Sequence, residues 1–133
     1  MSVYVTDTHS LVWYATNKYS LLSKKALTAF QQADNGEALI YVPTIVFWEI
    51  AILERLGKIN LRKGFAKWST SLLDQTGFAE AVFDLSIVKE AVAHNFNDDI
   101  FDSAIVFTAK NLDFPLITKD VAITEANLVE IFW

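Results

Sequence analysis

Four carboxylates stand where acidic side chains can act together on a substrate. Asp7 follows an opening β-rich run, and Asp120 follows residues 116–118 by one lysine. Glu49 and Asp102 lie early in helical stretches. Ligands of a parallel sheet bind beyond the carboxyl ends of its strands, where residues that follow different strands meet. Oxygen ligands without cysteine or paired histidines favour Mg²⁺ or Mn²⁺, which can promote phosphodiester cleavage and relieve the repulsion of crowded carboxylates.

Glu49 and Asp102 are the two carboxylates that helix capping does not explain. The helix around Glu49, residues 45–53, is apolar nearly all round and is predicted to be buried. A lone carboxylate there must be protonated, bound to a cation, or paired with Lys or Arg, which is the structural alternative to a functional role. Asp102 points along a similar apolar stripe in the first helical turn, three positions past the last of the expected caps at 97–99.

The other acidic candidates have a capping alternative, because an aspartate after a strand most often begins a turn or a helix. This applies to Asp7 and to Asp120. For Asp98 and Asp99 capping is the favoured interpretation, because they precede a predicted helix whose N-terminus needs one such oxygen. Asp99 is also an auxiliary candidate, since it lies three residues before Asp102. Thr8 and Ser10 are auxiliary candidates to orient Asp7 or a water, with capping as the alternative.

The composition of the 133-residue chain excludes several classes of protein. An apolar content of 53% and 14% aromatic residues exclude disorder, and the absence of cysteine excludes disulfide scaffolds, zinc ribbons and thiol nucleophiles. Without a basic leader or a membrane-length apolar run, we expect a cytoplasmic protein with no membrane partner. The net charge of −5 argues against a general nucleic-acid coat. Without the four metal candidates, 12 of the 16 acids face 11 bases, a net of −1.

Strand-like and helical stretches alternate along the chain, which predicts an α/β fold with a central parallel sheet. Strands are predicted at residues 3–6, 38–42, 79–85, 115–118 and 128–132. Helices are predicted after Asp7 and over residues 23–32, 44–56, 64–76 and 86–94, and from the caps at 97–99 to about 111. Thr44 and Ser86 are the expected first residues of two of them, with Thr44 as a cap.

Five segments that contain these acids occur in an order typical of one family: 7–13 (DTHSLVW), 47–52 (FWEIAI), 55–59 (RLGKI), 99–102 (DIFD) and 116–120 (LITKD). Together they resemble the PIN-domain family, and within it the VapC-type toxins of toxin–antitoxin pairs. The resemblance implies a three-layer α/β/α fold in a single PIN-like domain over residues 1–133. It also implies an endoribonuclease with a cognate antitoxin, an RNA substrate and a homodimer. Its metal-binding and catalytic quartet around Mg²⁺ or Mn²⁺ would be Asp7, Glu49, Asp102 and Asp120.

The chain departs from its similar sequences at three positions. Similar sequences usually have Pro at the position of Ile100, Arg at that of Ser103 and often Lys at that of Leu53. Ser103 and Leu53 therefore supply no basic contact to phosphate. A strip of five basic residues, with no acid within 55–67, is the candidate RNA-binding surface, and an ordinary solvated helix end is the alternative. We call it the basic strip: Arg55, Lys58, Arg62, Lys63 and Lys67.

Two other functions stay open. One is a non-catalytic PIN-like module that binds RNA or a protein. The other is a receiver-like domain in which Lys119 contacts a phosphorylated aspartate, but that class expects paired acids where Thr8 and His9 stand. Four tryptophans and ten phenylalanines exceed what so small a core uses, so we expect a partner to cover some aromatic surface.

Overall fold

The computed structural model describes residues 1–94 and 96–133. Its strands are β1 (Ser2–Thr6), β2 (Ala38–Pro43), β3 (Phe78–Ala81), β4 (Leu116–Ile117) and β5 (Ile131–Phe132). Its helices are α1 (Thr8–Ala15), α2 (Lys24–Asp34), α3 (Thr44–Arg55), α4 (Phe65–Asp74), α5 (Leu85–Ala93), α6 (Ile100–Leu112) and α7 (Val121–Ala126). A 3₁₀ turn at Tyr19–Leu21 lies between α1 and α2.

The five strands form one sheet in the order β3-β2-β1-β4-β5, and every neighbouring pair is parallel. The chain moves from β1 outward to β3 and then crosses back to β4 on the other side of β1. The gap between β1 and β4 is therefore the topological switch point, where side chains that follow these strands border a crevice. The helices between the strands flank the sheet, which confirms the predicted α/β class and its three-layer α/β/α arrangement.

The core lies in the sheet and in the helices that cover it. Val5, Ile40, Val42, Leu116 and Ile117 are fully buried. Strands of a parallel sheet are covered on both faces, which explains why these strands are apolar runs rather than alternating patterns. None of the described helices is long and apolar enough to cross a membrane.

Several predicted boundaries are wrong, and side-chain partners explain the clearest case. Pro43 is the last residue of β2 and holds the N-cap position of α3, without a side-chain cap. Thr44 is the first helical residue instead of the cap. Its hydroxyl, which has one proton to donate, lies within hydrogen-bond distance of the Glu80 carboxylate and of the Ala81 carbonyl on β3, and it accepts from Phe83 N–H.

The region from 78 to 85 also differs from its prediction. The strand predicted to end at residue 85 ends at Ala81, and α5 begins at Leu85 rather than Ser86. Asp84 is its cap, since its side chain accepts from Ile87 N–H. The short α7 and the 3₁₀ turn were not predicted.

Helix α3 is less buried than its apolar sequence predicts. Val46, Phe47 and Ile50 are buried, but Trp48 is 60% exposed and Leu56 63% exposed. Glu49 is half-buried rather than enclosed. The helix ends as expected, with Gly57 at φ +73°, a conformation that glycine adopts without a Cβ penalty.

Candidate functional site

The four carboxylates of the predicted quartet line one cleft at the carboxyl edge of the sheet, beside the switch point between β1 and β4. The cleft has a volume of about 290 Å³. Asp99 lines it as well, so five acidic side chains border the same space. Its described lining is Asp7, Thr8, His9, Trp13, Glu49, Asp99, Asp102, Ile105, Lys119 and Asp120.

Asp7 is held rigidly between α1 and the end of β4. It is the N-cap of α1, with Oδ1 accepting from Ser10 N–H at 2.9 Å. Its Oδ2 accepts from the hydroxyl of Thr118 at 2.5 Å. Burial raises the pKa of this carboxyl, and the donor groups of Ser10 and Thr118 oppose the rise. Asp7 therefore caps a helix and faces the cleft at the same time, so the two interpretations of this residue are compatible.

Thr118 links the carboxylate of Asp7 to the backbone of Asp120, and sequence reasoning did not select it. Besides donating to Asp7, its hydroxyl accepts from the backbone N–H of Asp120 at 3.1 Å. Asp120 is the N-cap of α7, where its Oδ1 accepts from Ile123 N–H at 2.8 Å. Thr118 is fully buried. The signal available in the sequence was a threonine at the end of a predicted strand, two residues before an aspartate.

Glu49 is oriented by the residue that follows Asp7. The Thr8 hydroxyl donates to Glu49 Oε1 at 2.5 Å. Thr8 was expected to orient Asp7 or a water, but its hydroxyl donates to Glu49 instead. The Ser10 hydroxyl is fully buried and has no hydrogen-bond partner among the described residues. The hydrogen bond from Ser10 to Asp7 comes from its backbone N–H.

Asp102 lies in the first turn of α6, and its neighbours disfavour its charge. Asp99 is the N-cap of this helix, with Oδ1 accepting from the N–H groups of Phe101 and Asp102. Asp102 Oδ2 accepts from Asn97 Nδ2 at 3.1 Å. Burial, followed by the charge of Asp99, raises the pKa of Asp102 to about 6; Asn97 lowers it, and Asp120 and Glu49 raise it further.

The donor set fits a hard divalent cation by its chemistry, although it is not gathered into a ligand shell. Within the described residues, Glu49 Oε2, Asp102 Oδ1 and Asp120 Oδ2 have no hydrogen bond, so each can offer an oxygen. No three acidic or histidine side chains of residues 1–94 and 96–133 stand close enough to hold an ion without moving.

The Lys119 ammonium and the Trp13 ring lie at the mouth of the cleft. Sequence reasoning assigned Lys119 a role only in the receiver-like alternative, and it assigned Trp13 none. Lys119 Nζ lies 5.1 Å from the ring centroid of Trp13, a cation–π arrangement. The Trp13 ring also contacts Trp133 and His9, with centroids 6.3 and 6.1 Å apart. Lys119 and His9 are exposed, whereas Trp13 is partly buried.

The basic strip lies outside this cleft. All five of its side chains are exposed, and none is among the lining residues of the cleft. Arg62, Lys63 and Lys67 border a separate groove next to the end of α1. Glu54 was missed by the sequence analysis: its carboxylate accepts from Leu61 N–H and Phe65 N–H and so holds the loop that carries the strip.

The five-stranded parallel sheet, its flanking helices and the cleft at its switch point define a PIN-like α/β/α architecture. No protein-family model and no curated protein matches the chain. Solved structures do match. VapBC2 from Rickettsia felis bound to a DNA fragment from their promoter has a TM-score of 0.65 at 14% identity, over 97% of this chain and 96% of that one.

Two further solved structures share the architecture. FitAB bound to an IR36 DNA fragment has a TM-score of 0.60 at 18% identity, over 97% of this chain and 93% of that one. FitAcB from Neisseria gonorrhoeae has a TM-score of 0.54 at 16% identity, over 98% of this chain and 96% of that one. At these identities the likeness concerns the fold.

Proposed function

We propose that the chain is a Mg²⁺- or Mn²⁺-dependent endoribonuclease of the PIN-domain type that acts as a VapC-type toxin. The observation that carries this proposal is the meeting of Asp7, Glu49, Asp102 and Asp120 at one cleft, from four separate stretches of chain. The family-like order of the sequence motifs and the fold shared with VapBC2 and FitAB support it.

The carboxylates of the quartet differ in how firmly hydrogen bonds hold them, so they would play different parts in binding a cation. Asp7 is buried and fixed through both carboxylate oxygens, so it would anchor the ion's position. Glu49 and Asp102 are each held through one oxygen and can turn the other inward. A bound divalent cation would supply an activated water and polarise the phosphoryl oxygen. The raised pKa of Asp102 supports the proposal, because a cation would relieve the repulsion from Asp99, Asp120 and Glu49.

A protein partner would silence the nuclease and cover part of its apolar surface. The VapBC2 and FitAB structures are of complexes, which supports a cognate antitoxin here. The sequence expectation of a homodimer stays a prediction. Several large apolar side chains are at least 60% exposed and offer surface for either partner: Trp48, Val82, Leu85, Val92 and Ile100.

The test is the change Asp102→Asn. Asn keeps an acceptor for Asn97 and removes one of the crowded charges, whereas Asp7 and Asp120 also cap helices and would confound the result. We expect Mg²⁺-dependent cleavage of RNA to fall below detection, with stability in chelator unchanged or raised. Asp113→Asn is the matched control, since Asp113 is an exposed residue at the opposite end of α6. It should cleave as the unchanged chain does.

The toxin role is tested in a bacterial host. Expression of the unchanged chain should arrest growth, Asp102→Asn should not, and co-expression of the product of the neighbouring gene should relieve the arrest. Growth arrest by both forms would contradict a catalytic toxin.

A non-catalytic PIN-like module that binds RNA or a protein is the second candidate. It is favoured by the separation of the carboxylates, of which no three in the described part of the chain are placed to hold an ion as they stand. RNA binding without cleavage in either Mg²⁺ or Mn²⁺, unaltered by Asp102→Asn, would support this module and contradict the nuclease.

A further inference from the structure

The positively charged side chain of Lys119 lies at the mouth of the acidic cleft, among negatively charged carboxylates. Five carboxylates line the cleft, and Lys119 is the single lysine or arginine among its described lining residues. An RNA strand carries a negative charge at every phosphate, so the cleft repels it unless positive charge lies on its path. The basic strip does not border this cleft, so it does not neutralise the strand at this point.

Lys119 is fixed at its backbone and free at its tip. The residue before it, Thr118, is fully buried and bonded to Asp7, and the residue after it, Asp120, caps α7. The Lys119 side chain itself is exposed, and its ammonium lies over the Trp13 ring. Only the flexible stem has to move for the ammonium to reach a ligand in the cleft.

Trp13 provides a firm support for that ammonium. The indole packs against the hydrophobic core and contacts the Trp133 ring edge-on, while another part of it lines the cleft. The aromatic face holds a cation without neutralising it, unlike a carboxylate in an ion pair. Aromatic side chains next to a basic residue are also the usual support for bases of single-stranded nucleic acid.

We propose that Lys119 and Trp13 form a subsite for single-stranded RNA at the mouth of the cleft. The Lys119 ammonium binds a backbone phosphate, and Trp13 positions the ammonium and packs against the nucleotide. This subsite rests on the proposed function, because it delivers a strand to the carboxylates. It adds a contact that neither the quartet nor the basic strip provides.

The experiment measures binding of a short, fluorescently labelled single-stranded RNA of mixed sequence by anisotropy. EDTA is present throughout, so the readout is independent of cleavage, and the KCl concentration is varied. The variants are Lys119→Met, Lys119→Arg and Trp13→Phe. Lys110→Met is the matched control, since Lys110 is an exposed lysine in the last turn of α6, away from the cleft. Thermal melting of each variant establishes that it is folded.

Removal of one phosphate contact has a defined signature. We expect Lys119→Met to weaken binding about fivefold and to reduce the slope of log Kd against log salt by about 0.7. Lys119→Arg should restore the slope, and Lys110→Met should bind as the unchanged chain does. Trp13→Phe should weaken binding while keeping the slope, because the charge contact remains.

The outcomes separate this inference from the proposed function. If the unchanged chain cleaves RNA but Lys119→Met has the same Kd and salt slope as Lys110→Met, the subsite is wrong and the nuclease stands. If binding depends on Lys119 but no metal ion supports cleavage, the subsite stands and the nuclease is wrong. If the unchanged chain binds no RNA in EDTA at any salt concentration, the subsite is overturned.

Discussion

Helix α3 carries two glutamates whose surroundings differ although they are five residues apart. Glu49 faces the acidic cleft, accepts one hydroxyl hydrogen bond and keeps its other oxygen without a bond from the described residues. Glu54 lies at the other end of the helix and uses both oxygens. Its Oε2 accepts from Leu61 N–H at 3.1 Å, and its Oε1 accepts from Phe65 N–H at 2.9 Å.

The two glutamates differ in the number of carboxylate oxygens that accept hydrogen bonds from the described residues. Phe65 is the first residue of α4, whose N-cap Gly64 has no side chain, so Glu54 supplies the negative charge that a helix N-terminus favours. Glu54 therefore has a structural role. Glu49 lies among other carboxylates, and one of its oxygens accepts no hydrogen bond from the described residues, as cation binding requires. A glutamate in an apolar helix can thus serve either purpose, and its partners decide which.

The largest expected effect is the loss of RNA cleavage in the Glu49→Gln variant. Gln retains an acceptor for the Thr8 hydroxyl but removes the negative charge, so the fold should persist while the proposed binding of a cation fails. We expect the rate of RNA cleavage to fall at least about 100-fold, which corresponds to about 3 kcal/mol of transition-state stabilisation. Single-turnover cleavage in Mg²⁺ measures it. Glu54→Gln is the internal control and should retain its rate per folded molecule; similar losses in both variants would break the comparison.

The reverse experiment concerns stability. Gln at position 54 has one acceptor oxygen for two backbone N–H groups, so one donor loses its partner. We expect Glu54→Gln to lower the free energy of unfolding by about 1–3 kcal/mol. Urea denaturation in chelator measures this loss, with Glu49→Gln close to the unchanged chain. An unaltered stability of Glu54→Gln would show that the loop before α4 is held by other contacts.

The pH dependence of stability gives a further comparison between a carboxylate that lies near other negative charges, Asp102, and one that uses both oxygens in hydrogen bonds, Glu54. The folded pKa of Asp102, about 6, is above its ordinary value of 3.8, so the folded chain binds this proton more tightly than the unfolded chain. The contribution of Asp102 to stability therefore declines as pH rises from about 4 to about 6, and it stays lost above that window.

Comparison of melting curves in chelator tests this decline. Asp102→Asn should show a flatter stability profile between about pH 4 and pH 6 than the unchanged chain, and at neutral pH it should melt at the same or a higher temperature. Asp113→Asn should follow the unchanged chain. A steeper decline in Asp102→Asn would contradict repulsion among the cleft carboxylates.

The smallest expected effect concerns the basic strip at the Glu54 end of α3. If this surface adds to RNA binding, the double change Lys63→Ala and Lys67→Ala weakens binding several-fold across sequences and flattens its salt dependence. Both side chains are exposed and border a groove separate from the cleft, so cleavage of bound RNA should be retained. Unchanged binding at every salt concentration would assign the strip to ordinary surface.

Local features of the fold were predictable because they depend on neighbours along the chain. Asp7 caps the helix that the sequence predicts after it, and Gly57 follows the end of α3 with a positive φ. Thr44 was mistaken for a cap because its partners, Glu80 and Ala81, lie on another strand. The acidic cleft was predictable as a meeting of strand ends, since the parallel order follows from the alternation of strands and helices.

By itself, the sequence determined the α/β class, the buried strands and the identity of the acids that can meet at one edge. The tertiary structure decided which oxygen of each acid is used and by which partner. Thr118 reaches Asp7 across 111 positions, and Thr8 reaches Glu49 across 41. Periodicity and capping patterns record burial and near neighbours, whereas a side-chain hydrogen bond depends on strand order and register. For that reason, only the folded chain shows that Glu54 uses both oxygens while Glu49 accepts one hydrogen bond from the described residues.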